Sequence, residues 1–188
     1  MNQEHFKGKY EVELKYRLSS KVAFLKKLKS RPHQVMLENN VESDCYFDDL
    51  DNQLEQAGKS LCIREMQPSG IRLWIVKGPG DDRCEATQID DALKAQRMLK
   101  NIGFIPTLSL TKCRSIYFIE AYHITVDVLD GIGEFAEFAI MTDDANRLES
   151  YRAELTQLAA GFGLSDVDLE PCAYKTLAAQ KRLCQTND

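Results

Sequence analysis

One short stretch of the sequence carries four charged residues at alternating positions. It reads YEVELKYRL, and Glu11, Glu13, Lys15 and Arg17 alternate there with apolar or aromatic residues. A period of two is typical of a β-strand with two unlike faces. The charged face either meets solvent or lines a site where carboxylates bind a divalent cation and basic groups bind phosphate oxygens. For this strand alone, a solvated charged face is the favoured interpretation.

Other predicted strands share this division into one charged face and one apolar face. Their charged faces carry, in chain order, Asp44, Asp48, Arg64, Lys77, Arg83, Glu85, Lys112, Arg114, Asp127 and Glu137. Acids cluster on the first and the last two strands, whereas cations cluster on the middle strands and the sixth. A solvated face usually mixes charges loosely with Ser, Thr and Gln. The sorting by sign therefore favours a curled sheet whose charged faces line a common interior.

An interior of this composition suits a polyanion that binds together with a metal ion. Lysine and arginine side chains neutralise phosphate oxygens, and arginine can contact them through two parallel hydrogen bonds. Carboxylates are hard oxygen ligands for Mg²⁺ or Mn²⁺. The residues thus predict a nucleoside triphosphate or a chain polyphosphate as the ligand.

The elements that position these residues are about eight strands, with helices inserted between and after them. Helices are predicted over residues 19–32, 90–104, 143–163 and 171–183. The strands do not alternate with helices as βαβ units, which favours an antiparallel α+β architecture. Amphipathic helices would then cover the apolar outer face of a β-barrel.

Composition excludes several classes of protein. The chain has 188 residues, of which 44% are hydrophobic, and this suits one domain over residues 1–188. A net charge of −5 argues against a nucleic-acid binder. No apolar run approaches the ~20 residues that cross a bilayer, and the N-terminus lacks the apolar segment of a signal peptide, so we predict a cytoplasmic protein with no membrane partner. The six cysteines include no CxxC pair, so we expect reduced thiols rather than a zinc site.

Several motifs together resemble the CYTH, or triphosphate tunnel metalloenzyme, superfamily. Residues 11–15, EVELK, match its ExExK signature. Later pieces match in order, namely Arg64-Glu65, Lys77-Gly78-Pro79, Arg83-Cys84-Glu85, Lys112-Cys113-Arg114, Asp127 and Glu137. The stretches HFKGKYEVELKYR, SGIRLWIVKGPG and GEFAEFAIMTDDA are similar to the bacterial class IV adenylyl cyclase branch.

The resemblance implies a fold, an activity and an assembly. The fold is an eight-stranded antiparallel closed β-barrel, with the barrel core at about residues 5–142 and C-terminal helices at about residues 143–185. The activity is conversion of ATP to 3′,5′-cyclic AMP and pyrophosphate, with Mg²⁺ or Mn²⁺ as the cofactor. The assembly is a homodimer.

The resemblance also suggests roles for individual residues. Metal binding falls to Glu11, Glu13, Asp127 and Glu137. Phosphate binding falls to Arg64, Lys77, Arg83, Lys112 and Arg114. The catalytic group comprises Glu11, Glu13, Lys15, Lys112 and Arg114, and the second-tier candidates for a ligand, a base or a partner of a cation are Asp44 and Glu85. His123 shares a face with Asp127, but a structural or solvated role is favoured for it.

Two alternative functions stay open. A metal-dependent hydrolase of the same architecture would cleave thiamine triphosphate, tripolyphosphate or a nucleoside triphosphate, and a non-catalytic sensor would only bind it. Many superfamily members carry Leu-Arg-Ile-Arg and Ser-Tyr where this chain has Leu61-Cys62-Ile63-Arg64 and Ala173-Tyr174. Both departures weaken the case for a triphosphatase-type grip on the terminal phosphate. The sensor is disfavoured because all the candidate acids are present.

Overall fold

The computed structural model describes residues 3–80 and 82–185 of the chain. One antiparallel sheet contains β1 (Tyr10–Arg17), β2 (Gln34–Asp48), β3 (Ser60–Gln67), β4 (Arg72–Lys77), β5 (Cys84–Gln88), β6 (Ile105–Ile119), β7 (Tyr122–Leu129) and β8 (Gly133–Thr142). The α-helices are α1 (Lys21–Lys29), α2 (Gln53–Gln56), α3 (Ala92–Asn101), α4 (Leu148–Gly161) and α5 (Tyr174–Gln185). Short 3₁₀ helices lie at Gln3–Phe6, Ala145–Arg147 and Asp166–Asp168. Within the described ranges, no helix combines the length and the apolar character that crossing a membrane requires.

The sheet curls until its two edge strands meet at one end. The strand order is β1-β8-β7-β6-β2-β3-β4-β5, and neighbouring strands are antiparallel. Between the edges, Tyr10 forms a β-bridge with Arg83. Next to it, the Glu11 N–H donates a hydrogen bond to the Asp82 carbonyl oxygen at 2.7 Å.

The predicted eight-stranded antiparallel sheet is confirmed, but its closure is overstated. Strand β5 has five residues against eight in β1. Among the described residues, β1 therefore meets the β5 edge only at residues 9–11 and 82–84, and further along the same edge it pairs with residues 169 and 170 instead of with β5. The sheet is a half-barrel with an accessible interior.

Helices α1 and α4 cover the outer face of β1, β7 and β8. Val12, Ile124 and Phe138 are fully buried there and pack with Leu28 of α1 and Leu155 of α4. Each such side chain contributes about 1.5–3 kcal/mol when it is buried, so this core holds the three strands in register. A second outer core, beneath α3, contains Phe47, Leu61, Ile63, Ala92, Ala95 and Leu99.

Helix α5 differs from the other helices because it packs against the inner face of the sheet. Its Tyr174 and Leu177 lie in one buried cluster with Leu110, Leu129 and Phe135. These sheet residues alternate with outward-facing ones and share the face of the charged side chains. The structure thus refines the expectation of helices on the outside, since α5 partly fills one mouth of the half-barrel.

Candidate functional site

Strand β1 directs Glu11, Glu13 and Lys15 into the half-barrel, because alternate residues of a strand point to the same face. The Glu11 carboxylate accepts a hydrogen bond from the Lys77 ammonium group at 2.9 Å and lies 3.4 Å from His123 Nε2. Burial alone would raise the pKa of Glu11, but the Lys77 and His123 side chains hold it well below its usual range. Glu11 is therefore anionic in the folded protein.

Glu13 is an inward-facing carboxylate near Lys77 and Lys15 but in ion-pair contact with neither of them. Among residues 3–80 and 82–185, no Lys, Arg or His side chain forms an ion pair with it. Its partner across the ladder to β8 is the small residue Ala139. Burial, followed by repulsion from Glu137 and Glu11, outweighs the attraction of Lys77 and Lys15 and raises the pKa of Glu13 to about 7. The protein leaves the negative charge at this point uncompensated, which favours the binding of a cation.

Arg114 links the acids of the last two strands. Its cross-strand partner on β7 is Asp127, and the guanidinium group contacts that carboxylate through two hydrogen bonds of 2.7 and 2.5 Å. The same group donates to Glu137 at 2.5 Å, and the Thr125 hydroxyl donates to Glu137 at 3.1 Å. Burial would raise the pKa of Glu137, but Arg114 and Lys15 lower it to about 2. One arginine thus positions both acids.

A second set of charges lies across the interior on β2, β3 and β6. Arg64 donates hydrogen bonds to Asp44 at 2.7 and 2.8 Å, and it lies 2.9 Å from Glu42. The Lys112 ammonium group contacts Glu42 directly and lies 3.4 Å from Asp44. Burial would raise the pKa values of Glu42 and Asp44, but Arg64, Lys112 and Arg114 lower both. In this region the acids are fully compensated by cations.

Strand β2 contains an interior acid that the sequence interpretation omits. Glu42 lies two residues before Asp44 and therefore shares its face, and it is 1% exposed. Its spacing of two from Asp44 is the signal that could have found it, because the register of β2 is regular from residue 40 to residue 46. At the other end of the same face, Asp48 accepts hydrogen bonds from the backbone N–H groups of Leu54 and Glu55. Asp48 thus stabilises the start of α2 and does not join the interior charges.

Two further residues contact the site although the sequence interpretation does not assign them to it. Tyr174 of α5 donates a hydrogen bond to Asp127 at 2.8 Å, and its ring centre lies 4.3 Å from the Lys15 ammonium group. His123 faces Glu11, and within the described residues its buried Nδ1 has no hydrogen-bond partner. The even spacing of His123 from Asp127 along β7 is a usable signal. Tyr174 stands at the position of the superfamily's Ser-Tyr motif, but only folding brings α5 to β7 and shows which acid it contacts.

The structure corrects the placement of Arg83 and Glu85. Lys77 pairs with Cys84 across the β4–β5 ladder, so Cys84 takes the inner face and both of its neighbours point outward. On the outer face Arg83 donates to Glu85 at 3.0 Å, and the two side chains are 34% and 58% exposed. Phosphate binding by Arg83 and a ligand or base role for Glu85 are therefore not supported.

Carboxylates on three adjacent strands are the oxygen donors that could hold a divalent cation, namely Glu11, Glu13, Asp127 and Glu137. In the part of the chain that the structure describes, no three His, Cys, Asp or Glu side chains surround one point as a preformed metal site. Three of the four carboxylates form ion pairs, Glu11 with Lys77 and both Asp127 and Glu137 with Arg114. The donor chemistry nevertheless fits a hard cation, and the raised pKa of Glu13 marks where positive charge is lacking.

Known proteins are similar to this chain in sequence and in fold. The CYTH domain family matches residues 9–174. Adenylate cyclase CyaB of Aeromonas hydrophila is 53% identical over 180 residues, which are 96% of this chain and 94% of that protein. A candidate adenylate cyclase of Methanocaldococcus jannaschii is 25% identical over 89% of this chain and 97% of that protein. An X-ray structure of a candidate adenylate cyclase from Vibrio parahaemolyticus has a TM-score of 0.90 and 52% identity, covering 92% of this chain and 99% of that one.

Proposed function

The chain belongs to the CYTH family, and on this premise we propose that it is a class IV-type adenylate cyclase, which converts ATP to 3′,5′-cyclic AMP and pyrophosphate. The observation that carries the proposal is the 53% identity to the A. hydrophila adenylate cyclase over 96% of this chain. The interior supplies the two kinds of group that phosphoryl transfer requires, which are cations for the triphosphate and carboxylates for a metal ion.

Four inward-facing cations are placed to bind the triphosphate, namely Arg64, Lys77, Lys112 and Arg114. Each of them pairs with a carboxylate in the structure. Guanidinium and ammonium groups have several N–H donors, so each cation can contact phosphate oxygens while its carboxylate partner holds it in place. The Lys77 side chain is 47% exposed, against 18% or less for the other three. We expect Lys77 to meet the substrate first.

The four carboxylates of β1, β7 and β8 would hold Mg²⁺ or Mn²⁺, namely Glu11, Glu13, Asp127 and Glu137. Bound there, the ion would offset charge on the α-phosphate and lower the pKa of the ribose 3′-hydroxyl group. Glu13 is the acid whose charge the protein leaves uncompensated, so we assign to it the largest share of the metal affinity. Lys15 lies 4.0 Å from Glu137, where it can hold that carboxylate in place or contact a phosphate oxygen.

In the proposed reaction the ribose 3′-hydroxyl group loses its proton to solvent, and its oxygen forms a bond to the α-phosphorus. The bond from that phosphorus to the oxygen of the leaving pyrophosphate breaks in line with it. The contribution of the protein is to position the reactants and to stabilise charge. Arg64 and Lys112 would offset the charge that develops on pyrophosphate, while Glu42 and Asp44 hold these two cations in place. Asp44 thereby acts as a positioning residue.

The test of this proposal is to incubate the protein with ATP and either Mg²⁺ or Mn²⁺ and to identify the products by chromatography. Equal amounts of cyclic AMP and pyrophosphate support the proposal. The Glu13→Ala variant controls for contaminating cyclases, since we expect no product from it. ADP with orthophosphate, or cleavage of tripolyphosphate, would instead support the metal-dependent triphosphatase that is the alternative in the same fold.

The assembly and the setting of the enzyme are also part of the proposal. We propose a homodimer in the cytoplasm that binds no nucleic acid. Sedimentation equilibrium tests the first statement, because a dimer has twice the mass of the chain. A single species with the mass of one chain at micromolar concentration would contradict it.

A further inference from the structure

The short 3₁₀ helix that precedes β1 packs against the inner face of the sheet through two aromatic side chains. The ring of His5 stacks on that of Phe118, with centres 4.0 Å apart and planes 9° apart. The ring centre of Phe6 lies 5.0 Å from that of His123. Phe118 and His123 are cross-strand partners on β6 and β7, and they share the face of Arg114 and the other interior charges. The proposed roles of those charges do not account for this aromatic contact.

Backbone contacts fix the segment between this helix and β1. Gly8 has a φ of +151°, and a Cβ atom there would lie 2.7 Å from the Thr142 backbone nitrogen. Glycine therefore allows the chain to approach the end of β8 closely. The next residue, Lys9, donates its backbone N–H to the Thr142 carbonyl oxygen at 3.1 Å, and His5 Nδ1 lies 3.3 Å from the Ala121 carbonyl oxygen. These contacts hold the two aromatic side chains against the inner face.

His123 contacts one of the proposed metal ligands. Its side chain is buried, and its Nε2 lies 3.4 Å from Oε1 of Glu11. The other oxygen of that carboxylate, Oε2, accepts a hydrogen bond from the Lys77 ammonium group at 2.9 Å. A carboxylate only accepts hydrogen bonds, so the contact with Glu11 places a ring hydrogen on Nε2. The two oxygens of Glu11 consequently have different partners, one on β7 and one on β4.

Packing, and not a second hydrogen bond, orients the imidazole ring of His123. Within residues 3–80 and 82–185, its buried Nδ1 has no hydrogen-bond partner. Phe6 lies against the ring, and the cross-strand neighbours on the two adjacent strands are Phe118 and Ala139. No hydrogen bond at Nδ1 from the described residues therefore pulls the ring away from Glu11.

The two partners leave part of the Glu11 carboxylate available to a cation. Its oxygens offer about four lone-pair sites, and His123 and Lys77 contact one oxygen each. The remaining sites can bind a divalent ion in a direction that these partners set. Groups that hydrogen-bond a metal-binding side chain orient it, and their loss typically lowers metal affinity about 10–100-fold. The contact between His123 and Glu11 is of this kind.

From these contacts we infer that His123 is a positioning residue, whose Nε2–H group holds the Glu11 carboxylate in the direction in which it binds a divalent cation. The N-terminal 3₁₀ helix holds the imidazole ring in place through Phe6. The inference rests on the metal-binding role of Glu11 in the proposed function. It differs from the structural or solvated role that the sequence alone favours for His123, in which the ring would only fill space.

Two substitutions of His123 separate its N–H donor from its ring. His123→Gln keeps a side-chain N–H donor but removes the ring, whereas His123→Phe keeps a ring of similar size but removes the donor. His33→Gln is the matched control, because the His33 ring lies beside Tyr117 and its Nδ1 contacts the Arg31 carbonyl oxygen, away from the interior charges. The probe is Mn²⁺ alone, and the electron paramagnetic resonance signal of the free ion gives its dissociation constant. Thermal unfolding shows whether each variant folds.

We expect His123→Phe to raise the dissociation constant of Mn²⁺ by about tenfold or more, and His123→Gln to keep it within about threefold of the parent value. His33→Gln should leave it unchanged, and His123→Leu, which also lacks the donor, serves if His123→Phe does not fold. A ring that only fills space predicts the reverse order, in which Phe preserves affinity better than Gln. That order, or equal constants in all variants, would overturn the inference. Metal binding does not depend on turnover, so a parent protein that binds Mn²⁺ but forms no cyclic AMP would overturn the proposed function and leave this test intact.

Discussion

Glu13 and Asp44 lie on the inner face of the same half-barrel, yet their carboxyl groups have opposite surroundings. Asp44 accepts two hydrogen bonds from Arg64 and lies near Lys112, and these cations outweigh burial and lower its pKa. Glu13 forms no ion pair within the described residues, and burial next to Glu137 raises its pKa to about 7. The neighbours of a carboxylate, and not its identity, decide what it can bind.

The difference divides the interior into two regions. The acid-rich region contains four acids (Glu11, Glu13, Asp127, Glu137) and the three cations that lie nearest to them (Lys15, Lys77, Arg114). The balanced region, on β2, β3 and β6, contains two cations (Arg64, Lys112) and two acids (Glu42, Asp44). The acid-rich region thus carries one negative charge in excess, which favours a metal ion, whereas the charges of the balanced region cancel.

The largest effect is expected from removing the uncompensated acid. Glu13→Ala should lower kcat/KM for cyclic AMP formation by about 10³-fold or more, because a catalytic metal ion supplies several kcal/mol of transition-state stabilisation. The thermal unfolding midpoint should change little, since the substitution also relieves repulsion from Glu11 and Glu137. Product formation and thermal unfolding are measured on the same preparation. Unchanged turnover would remove Glu13 from the metal site.

Removing the charge of an acid that is paired with cations should, in contrast, lower the stability of the protein. Glu42→Gln should lower the free energy of unfolding by about 3–5 kcal/mol, because Arg64 and Lys112 lose a buried anionic partner. Tripolyphosphate should raise the unfolding temperature of this variant more than that of the parent, since phosphate replaces the lost charge. Glu13→Gln is the matched substitution in the acid-rich region. Comparable destabilisation of both variants would erase the distinction between the regions.

The raised pKa of Glu13 predicts a pH dependence. Its folded pKa of about 7 lies above the ordinary value of 4.5, so between these pH values the folded protein binds more protons than the unfolded chain. The contribution of Glu13 to stability therefore falls as pH rises from 4.5 to about 7 and is constant above that range.

The apparent affinity for a metal ion should also depend on the protonation of Glu13, but it should rise as the pH rises. A cation binds the deprotonated form, so its apparent affinity should weaken by about tenfold for each pH unit below 7. Calorimetric titration with Mg²⁺ between pH 6 and 8.5 measures this slope, and Glu13→Gln should flatten it. An equally steep profile in that variant would assign the titration to another group.

The smallest effect is expected on the outer face. Arg83→Ala and Glu85→Ala break an exposed ion pair, which contributes about 0.2–1 kcal/mol at most to stability. The KM for ATP should change by less than about twofold, because neither side chain reaches the interior. Steady-state kinetics on both variants, with Lys77→Ala as the inward-facing control, make the comparison. A large rise in KM for Arg83→Ala alone would restore its predicted role in phosphate binding.

Alternation along single strands was enough to predict much of the site. Glu11, Glu13 and Lys15 share the inner face of β1, and Lys112 with Arg114 shares that of β6, because each strand is regular over those residues. The same reasoning fails for Arg83 and Glu85. Their alternation is equally regular, but alternation alone does not tell which of the two faces of β5 points into the half-barrel. The assignment of residues 1–188 to a single domain stays a prediction.

The sequence by itself determined the strands, their two unlike faces and the sorting of charges, since these depend on residue type and on a period of two. Only the tertiary structure decided which face of β5 points inward, because the pairing of Lys77 with Cys84 sets that parity. It also decided the pairing of acids with cations and the approach of Tyr174 to Asp127. Those contacts join residues far apart in the chain, and the curl of the sheet and the docking of α5 set their distances.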